Sequence, residues 1–255
     1  MKVTKVLVSC DNEYYAQMFP LVKEAWFRVC GYECVVVYVG HELPHVLQNE
    51  QKKKDGCVFL FKPVEGIHST FQTQCIRLLW PCLMEGESVL ISDMDIAPLQ
   101  RKHFVDLLLE YSEEQFITYT DRYKKQKMFA MCYNVAHCNK WKEIFCVSNK
   151  TEIENKLKDW YSSCQNYDGK KNCVGWYTDQ QQLFNHVINR EDLKILNDKE
   201  TGFNRMDKKD KHEILGNLGL KQQEVKKGLY TDFHFIRPYK KFHKVMEILV
   251  KSAYN

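Results

Sequence analysis

The sequence predicts an α/β fold, with a mostly parallel central sheet flanked by helices and a less regular α+β half after it. Three observations carry this reading. Strand-like and helix-like segments alternate up to residue 119, the order that builds a parallel sheet covered on both faces. The run Cys-Val-Val-Val-Tyr-Val at 34–39 is nearly continuous in apolar residues, as a strand buried on both sides must be. No internal repeat or flexible linker interrupts the 255 residues. The chain therefore reads as a single domain over 1–255, with halves of about 1–125 and 126–255 sharing one core.

Taken in order, Lys5–Cys10 is a short β-branched run and predicts the first strand. A helix follows over 14–30, with Met18, Leu21, Val22, Ala25, Trp26 and Val29 at helical spacing and Gly31 in position to stop it. Strands are expected at 34–39 and 57–61, and the lysines at 52–54 read as a solvated loop. A helix over about 70–84 places Phe71, Cys75, Leu78, Leu79 and Cys82 on one side, and Pro81 should kink or shorten it. Residues 88–92 form the next strand and run directly into Asp93-Met94-Asp95. A helix at 104–111 and a strand at 115–119 complete the alternation. The second half predicts a strand at 128–135 and helices at 141–147, 151–163 and 178–188. Irregular surface structure is expected over 197–227, where Lys, Asp, Asn and Gly dominate. The segment 233–239 and an amphipathic helix at 241–251 end the chain.

Composition removes several classes. Hydrophobic residues at 44% and charged residues at 27% are ordinary for a soluble globular chain, which excludes wholesale disorder and a fibrous fold. The net charge of +4 and pI near 8.4 come without a basic stripe, so no nucleic-acid partner is expected. No stretch approaches the roughly 20 apolar residues of a transmembrane segment, and the N-terminus meets Asp11 too early for a signal peptide. The 11 cysteines are odd in number and many lie in apolar runs, a pattern of buried free thiols that points to a reducing, cytoplasmic setting.

The chemistry-bearing feature is the acid pair. Two carboxylates two residues apart at a strand end can both reach a divalent cation. Mg²⁺ and Mn²⁺ favour oxygen ligands and commonly share their shell between protein carboxylates and phosphate oxygens, which suits a nucleotide diphosphate. With 14 Asp in the chain, about 0.8 Asp-X-Asp matches arise by chance, so the spacing says little. The position says more. Asp93 and Asp95 follow an apolar strand inside a βαβ series, where ligand crevices open and unpaired buried carboxylates would cost stability. A strand-end turn with solvated aspartates is the alternative.

Arg77-Leu78-Leu79-Trp80-Pro81-Cys82-Leu83-Met84, followed by Val89-Leu90-Ile91-Ser92-Asp93-Met94-Asp95-Ile96-Ala97-Pro98-Leu99, resembles the glycosyltransferase A fold, with a Rossmann-like nucleotide-binding half and an acceptor half. Within that fold it is most similar to the glycogenin-like and galactosyltransferase-like enzymes of glycosyltransferase family 8. The resemblance implies a hexosyltransferase in which Asp93 and Asp95 hold Mn²⁺ (or Mg²⁺) against a nucleotide sugar, with Asp93 and Arg77 binding the donor. It further implies that Asp11 and Tyr14 meet the base, that Asn134 and Asp179 act beside the sugar, that His234 is a third metal ligand, and that Arg237 faces the phosphates. The implied partners are a nucleotide sugar, UDP-hexose favoured, and a glycan or protein hydroxyl acceptor, with retention of anomeric configuration. The chain departs from the family at two points: no glycine follows the Asn134 position, and an arginine at a shorter spacing from His234 replaces the family's lysine.

Each residue also has a plainer reading. Asp11 suits a helix N-cap, Tyr14 a core aromatic, Arg77 an ion pair with Asp93, Asp179 a helix N-terminal acid, and His234 a structural histidine. An inverting transferase of another family, with Asp179 as base, and a catalytically inactive nucleotide-sugar-binding protein are the competing functions.

Overall fold

The structure, a computed structural model, describes residues 1–54, 56–164 and 166–255. Its strands are β1 (Lys5–Cys10), β2 (Glu33–Val39), β3 (Val58–Phe61), β4 (Ser88–Ile91), β5 (Ile96–Pro98), β6 (Phe116–Thr118), β7 (Asn134–His137), β8 (Leu193–Ile195), β9 (Arg205–Met206) and β10 (Asp232–His234). Seven of them form the main sheet in the order β3-β2-β1-β4-β7-β6-β8, and β5-β10-β9 form a small second sheet. In the main sheet only β7 runs against its neighbours, so the sheet is mostly parallel, as the sequence predicts.

Alternation along the strands separates the core into two layers. Val6, Val8, Cys34 and Val36 join one apolar cluster with the helix Phe19–Ala25, the second sheet and the C-terminal helix Tyr239–Lys251. Leu7, Val35 and Val37 join the other, with the helices Ser69–Leu79, Cys138–Phe145, Lys150–Ser162 and Thr178–Val187. The chain moves from β1 outward to β2 and β3, then returns to place β4 on the other side of β1. That reversal opens a crevice beyond the carboxyl ends of β1 and β4, where Asp11 and Asp93 begin the loops.

Several elements differ from expectation for local reasons. The helix read at 14–30 is broken into Glu13–Ala16, Phe19–Ala25 and a π-turn Trp26–Cys30. Pro20 lies in the first turn of the second piece, where its missing N–H costs nothing, and Gly31 ends the third at φ 77°. The helix Ser69–Leu79 passes into a 3₁₀ turn, Trp80–Leu83, at Pro81, the shortening that the proline predicts. The lysines at 52–54 end a helix, His45–Lys53, rather than forming a solvated loop, with Lys53 paired to Glu50 and Lys54 to Glu33. The strand expected at 128–135 contracts to β7, so 128–133 is free to form a wall of the cleft. The segment 197–227 carries the helices Asp198–Thr201, Lys211–Gly216 and Leu218–Lys226. Its polar composition hides a capping box between Asn197 and Glu200 and the buried anchors Ile214 and Val225.

All 11 cysteines are free and eight are buried, in keeping with thiols serving as small hydrophobes. Among the described residues no helix is long and apolar enough to cross a membrane.

Candidate active site

Two cavities open at the carboxyl edge of the main sheet. The first, of about 380 Å³, is lined by Ser9, Asp11, Tyr15, Thr70, Asp95, His234 and Arg237 among others. The second, of about 300 Å³, lies between the β6 and β7 ends and the helix Thr178–Val187, and its walls include Tyr119, Tyr123, Tyr133, Asp179, Phe203 and Arg205. They share Gln74, Arg77, Asp93 and Trp176, so they form one cleft with Asp93 at its waist. Trp176 is brought there by Gly175, whose φ of +84° and contact with Cys164 admit no side chain: a Cβ would stand 2.5 Å from Cys164 Sγ.

Asp95 lies in the first cavity, its side chain 8% exposed against 39% for Asp93. Its Oδ2 meets His234 Nε2 at 3.1 Å, Arg237 Nη2 at 2.7 Å and Lys208 Nζ at 3.6 Å. Burial acts to raise this carboxyl, but the His234 hydrogen bond and the surrounding charges hold it well below its usual range. Asp93 pairs with Arg77 Nη1, and its backbone N–H reaches Cys132 Sγ at 3.2 Å. Here too burial acts upward and the Arg77 charge prevails, leaving the carboxyl below its ordinary value.

Arg77 is buried and forks. Its second nitrogen, Nη2, donates to Asp179 Oδ2 at 3.2 Å. Asp179 is itself 2% exposed, and its Oδ1 accepts the Gln180 backbone N–H at 2.8 Å. Burial dominates at this carboxyl and pushes it up to about 6, although Arg77 and that N–H draw it down. The ion pair between Arg77 and Asp93 that the sequence allows is therefore present, and a second acid shares it.

The structure gathers Asp11, Arg77, Asp93, Asp95, Asp179, His234 and Arg237 into the cleft and leaves two predicted residues outside its lining. Asn134 is fully buried at the start of β7, and its amide donates to the carbonyls of Ala130 at 2.8 Å and Met131 at 3.0 Å. Tyr14 packs against the core, where its hydroxyl accepts from the Tyr239 backbone N–H at 3.2 Å. The cleft aromatic is the next residue, Tyr15, whose ring lies under the Arg237 guanidinium at 5.2 Å and whose hydroxyl accepts from Arg237 Nη2 at 2.5 Å. Asp11 does not cap the following helix. Asn12 does, leaving Asp11 Oδ2 to accept from Ser69 and Thr70 hydroxyls, both at 2.9 Å.

Lys208 and Tyr15 are cleft residues that sequence reasoning missed, whereas Trp176, legible as an aromatic wall beside Asp179 in the run Gly175-Trp176-Tyr177, does line the cleft. Lys208 sits in the segment read as irregular surface, and an aromatic beside another aromatic carries no periodicity to single it out.

Asp93, Asp95 and His234 offer two carboxylates and an imidazole, a donor set that suits Mn²⁺. Asp95 makes its ion pairs through Oδ2, and Asp93 meets Arg77 through Oδ1 and also bonds the Cys132 thiol. The three are not drawn into a ligand cage: among the described residues no group of three or more His, Cys, Asp or Glu side chains is placed to hold a metal. The sequence also holds a zinc-protease spacing whose geometry does not suit that role. His41-Glu42-Leu43-Pro44-His45 has the spacing of a zinc-protease helix, but its helix begins only at His45, with Pro44 as its cap, so the two histidines do not share a helical face.

This architecture is the glycosyltransferase A fold. Solved structures similar to it include the glycosyltransferase GlyE of Streptococcus pneumoniae TIGR4, with a TM-score of 0.52 at 14% identity over 100% of this chain and 61% of that one. The bifunctional glycosyltransferase WbbM is similar at a TM-score of 0.51 and 10% identity, over 99% of this chain and 50% of WbbM. At such identities the likeness is one of fold, and the chain spans about three fifths and one half of those proteins. No protein-family model matches the sequence, and no curated protein matches it.

Proposed function

We propose that the protein transfers a hexose from a nucleotide diphosphate sugar, UDP-sugar favoured, to a hydroxyl acceptor, with Mn²⁺ or Mg²⁺ held by Asp93, Asp95 and His234. The observation that carries this reading is the joined pair of cavities with Arg77, Asp93 and Trp176 at their junction. A donor whose diphosphate lay beside Asp95 and Arg237 would present its sugar at the waist, facing an acceptor in the second cavity. Asp11, which lines the first cavity, would meet the base. The ion, when bound, would neutralise the charge that grows on the departing diphosphate.

Arg237 and Lys208 supply fixed positive charge to the same leaving group. The bond from the anomeric carbon to the phosphate oxygen breaks as the acceptor oxygen bonds to that carbon. In a retaining reaction the acceptor proton passes to the departing phosphate. Asp179 also supports an inverting reading. A buried carboxyl near 6 is suited to taking the acceptor proton itself.

The test is incubation with Mn²⁺ and a panel of UDP- and GDP-sugars, following nucleotide release and, by NMR, the anomer formed. Release with one donor family is expected. Asp93→Ala should abolish metal-dependent donor affinity, and retention of that affinity in the variant overturns the metal reading. No turnover and no donor-induced rise in Tm for the unaltered protein would leave an inactive binding fold without a ligand.

A further inference from the structure

The small second sheet gives residues to both cavities, Arg205 to the second and His234 to the first, and its side chains are paired across it in a regular way. In the β9–β10 register Asp232 faces Arg205, and two residues on in each direction of travel Asp207 Oδ2 lies 3.8 Å from His234 Nδ1. Because side chains two apart on a strand share a face, Asp232 and His234 stand on one face of β10. His234 lines the first cavity. Asp232 is fully buried and serves the second.

Asp232 Oδ2 accepts from Arg205 Nε at 2.9 Å and Nη2 at 2.6 Å and from the Tyr133 hydroxyl, while Oδ1 accepts from Thr231 Oγ1 at 3.2 Å. Arg205 and Tyr133 both line the second cavity, and Asp232 does not. Arg205 Nη1 has no hydrogen-bond partner among the described residues. The guanidinium is also held by its face, 5.1 Å from the Phe203 ring, which Arg122 approaches as well, at 4.5 Å.

An acid oxygen that accepts two N–H groups of one arginine fixes the direction of the arginine's remaining N–H groups. A fully buried carboxylate is costly to keep where only packing is required. We propose that Asp232 is a positioning residue for the acceptor: acting through Arg205 and Tyr133, it sets the wall of the second cavity, while the same strand presents His234 to the donor. This rests on the reading of the two cavities as donor and acceptor sites.

The test is steady-state kinetics of Asp232→Asn, with Arg205→Lys and Tyr133→Phe as companions should the first fail to fold. The donor is the UDP-sugar the unaltered protein hydrolyses or transfers, and the acceptor probes are methyl glycosides of glucose and galactose. Loss of a charged hydrogen bond predicts an acceptor KM raised about tenfold or more, with the donor KM within about twofold. Arg205→Lys and Asp232→Asn together should be less than additive on the acceptor KM, since both act on one contact. A merely structural role would lower Tm and leave both KM values unmoved or moved in parallel, and either result overturns the proposal. So does an unaltered protein that hydrolyses donor yet transfers to none of the probes. Absence of donor binding in the unaltered protein is a separate result and defeats the transferase reading itself.

Discussion

The two ends of the cleft treat their buried carboxylates in opposite ways. At the first cavity Asp95 is met by His234, Arg237 and Lys208 and is held well below the usual carboxylate range. At the second, Asp179 has half of one arginine, shared with Asp93, and burial lifts it to about 6. Environments that drive acids apart in this way separate their roles. The first end keeps its carboxylate negative, balanced by Arg237 and Lys208. The second keeps a carboxyl that can change protonation near pH 6.

If the ends are distinct, substitutions should divide between donor and acceptor. Asp95→Ala has the largest expected effect. It leaves Arg237 and Lys208 without their shared acid and removes an oxygen ligand from the proposed metal site, and should lower turnover by about a thousandfold together with donor affinity. Asp179→Ala should lower transfer while donor affinity, read by titration with UDP, stays close to that of the unaltered protein. Equal loss of UDP affinity in both variants would erase the distinction between the ends.

Arg77 joins the two regions, so its removal tests the waist. Arg77→Met leaves Asp179 buried without its cation and should cost about 3–5 kcal/mol in urea unfolding. A loss below about 1 kcal/mol would mean that neither acid depends on the arginine in the folded protein.

The comparison can be sharpened by pH. Asp179 rises from 3.8 to about 6 on folding, so between those values the native state binds the extra proton and the contribution of this group to stability falls as pH rises. Asp95 has the opposite sign: its contribution is in place above its unfolded value of 3.8 and is lost as acid protonates it. Relative to the unaltered protein, Asp179→Asn should therefore gain stability as pH increases through about 6. If ionised Asp179 takes the acceptor proton, kcat/KM should also rise through that pH, and a profile flat across it removes Asp179 as the base.

The same two regions differ in how much of them the sequence discloses. The first-cavity end, the proposed donor end, is built from short-range signals. The apolar run of β4, the acids that follow it and the proline that ends the preceding helix are contiguous, and all fall where the pattern predicts. His234 and Arg237 lie in one short segment at the C-terminal end and were equally visible. The second-cavity end, the proposed acceptor end, is assembled from segments far apart in the chain. Asp232 binds Tyr133 across 99 residues and Arg205 across 27, and no local pattern announces either contact. Asn134 shows the converse: its position at a strand start is legible, but the inward turn of its amide is decided by the loop carbonyls of Ala130 and Met131.

Tyr14 and Tyr15 put that limit to its smallest test. Helical spacing alone cannot say which neighbour faces the cleft, because the helix Glu13–Ala16 is only four residues long and its direction is set by what it packs against. Tyr15 meets Arg237 through both ring and hydroxyl, so Tyr15→Phe keeps the platform and removes one charge-assisted bond. A rise of about three- to tenfold in the dissociation constant for UDP is expected, with little change in Tm because the ring remains. Tyr14→Phe removes the acceptor of the Tyr239 N–H, at the junction with the C-terminal helix, and should lower Tm slightly while UDP binds as before. Exchange of these outcomes would return the base-side aromatic to Tyr14 and require Arg237 to be held without help from its neighbour.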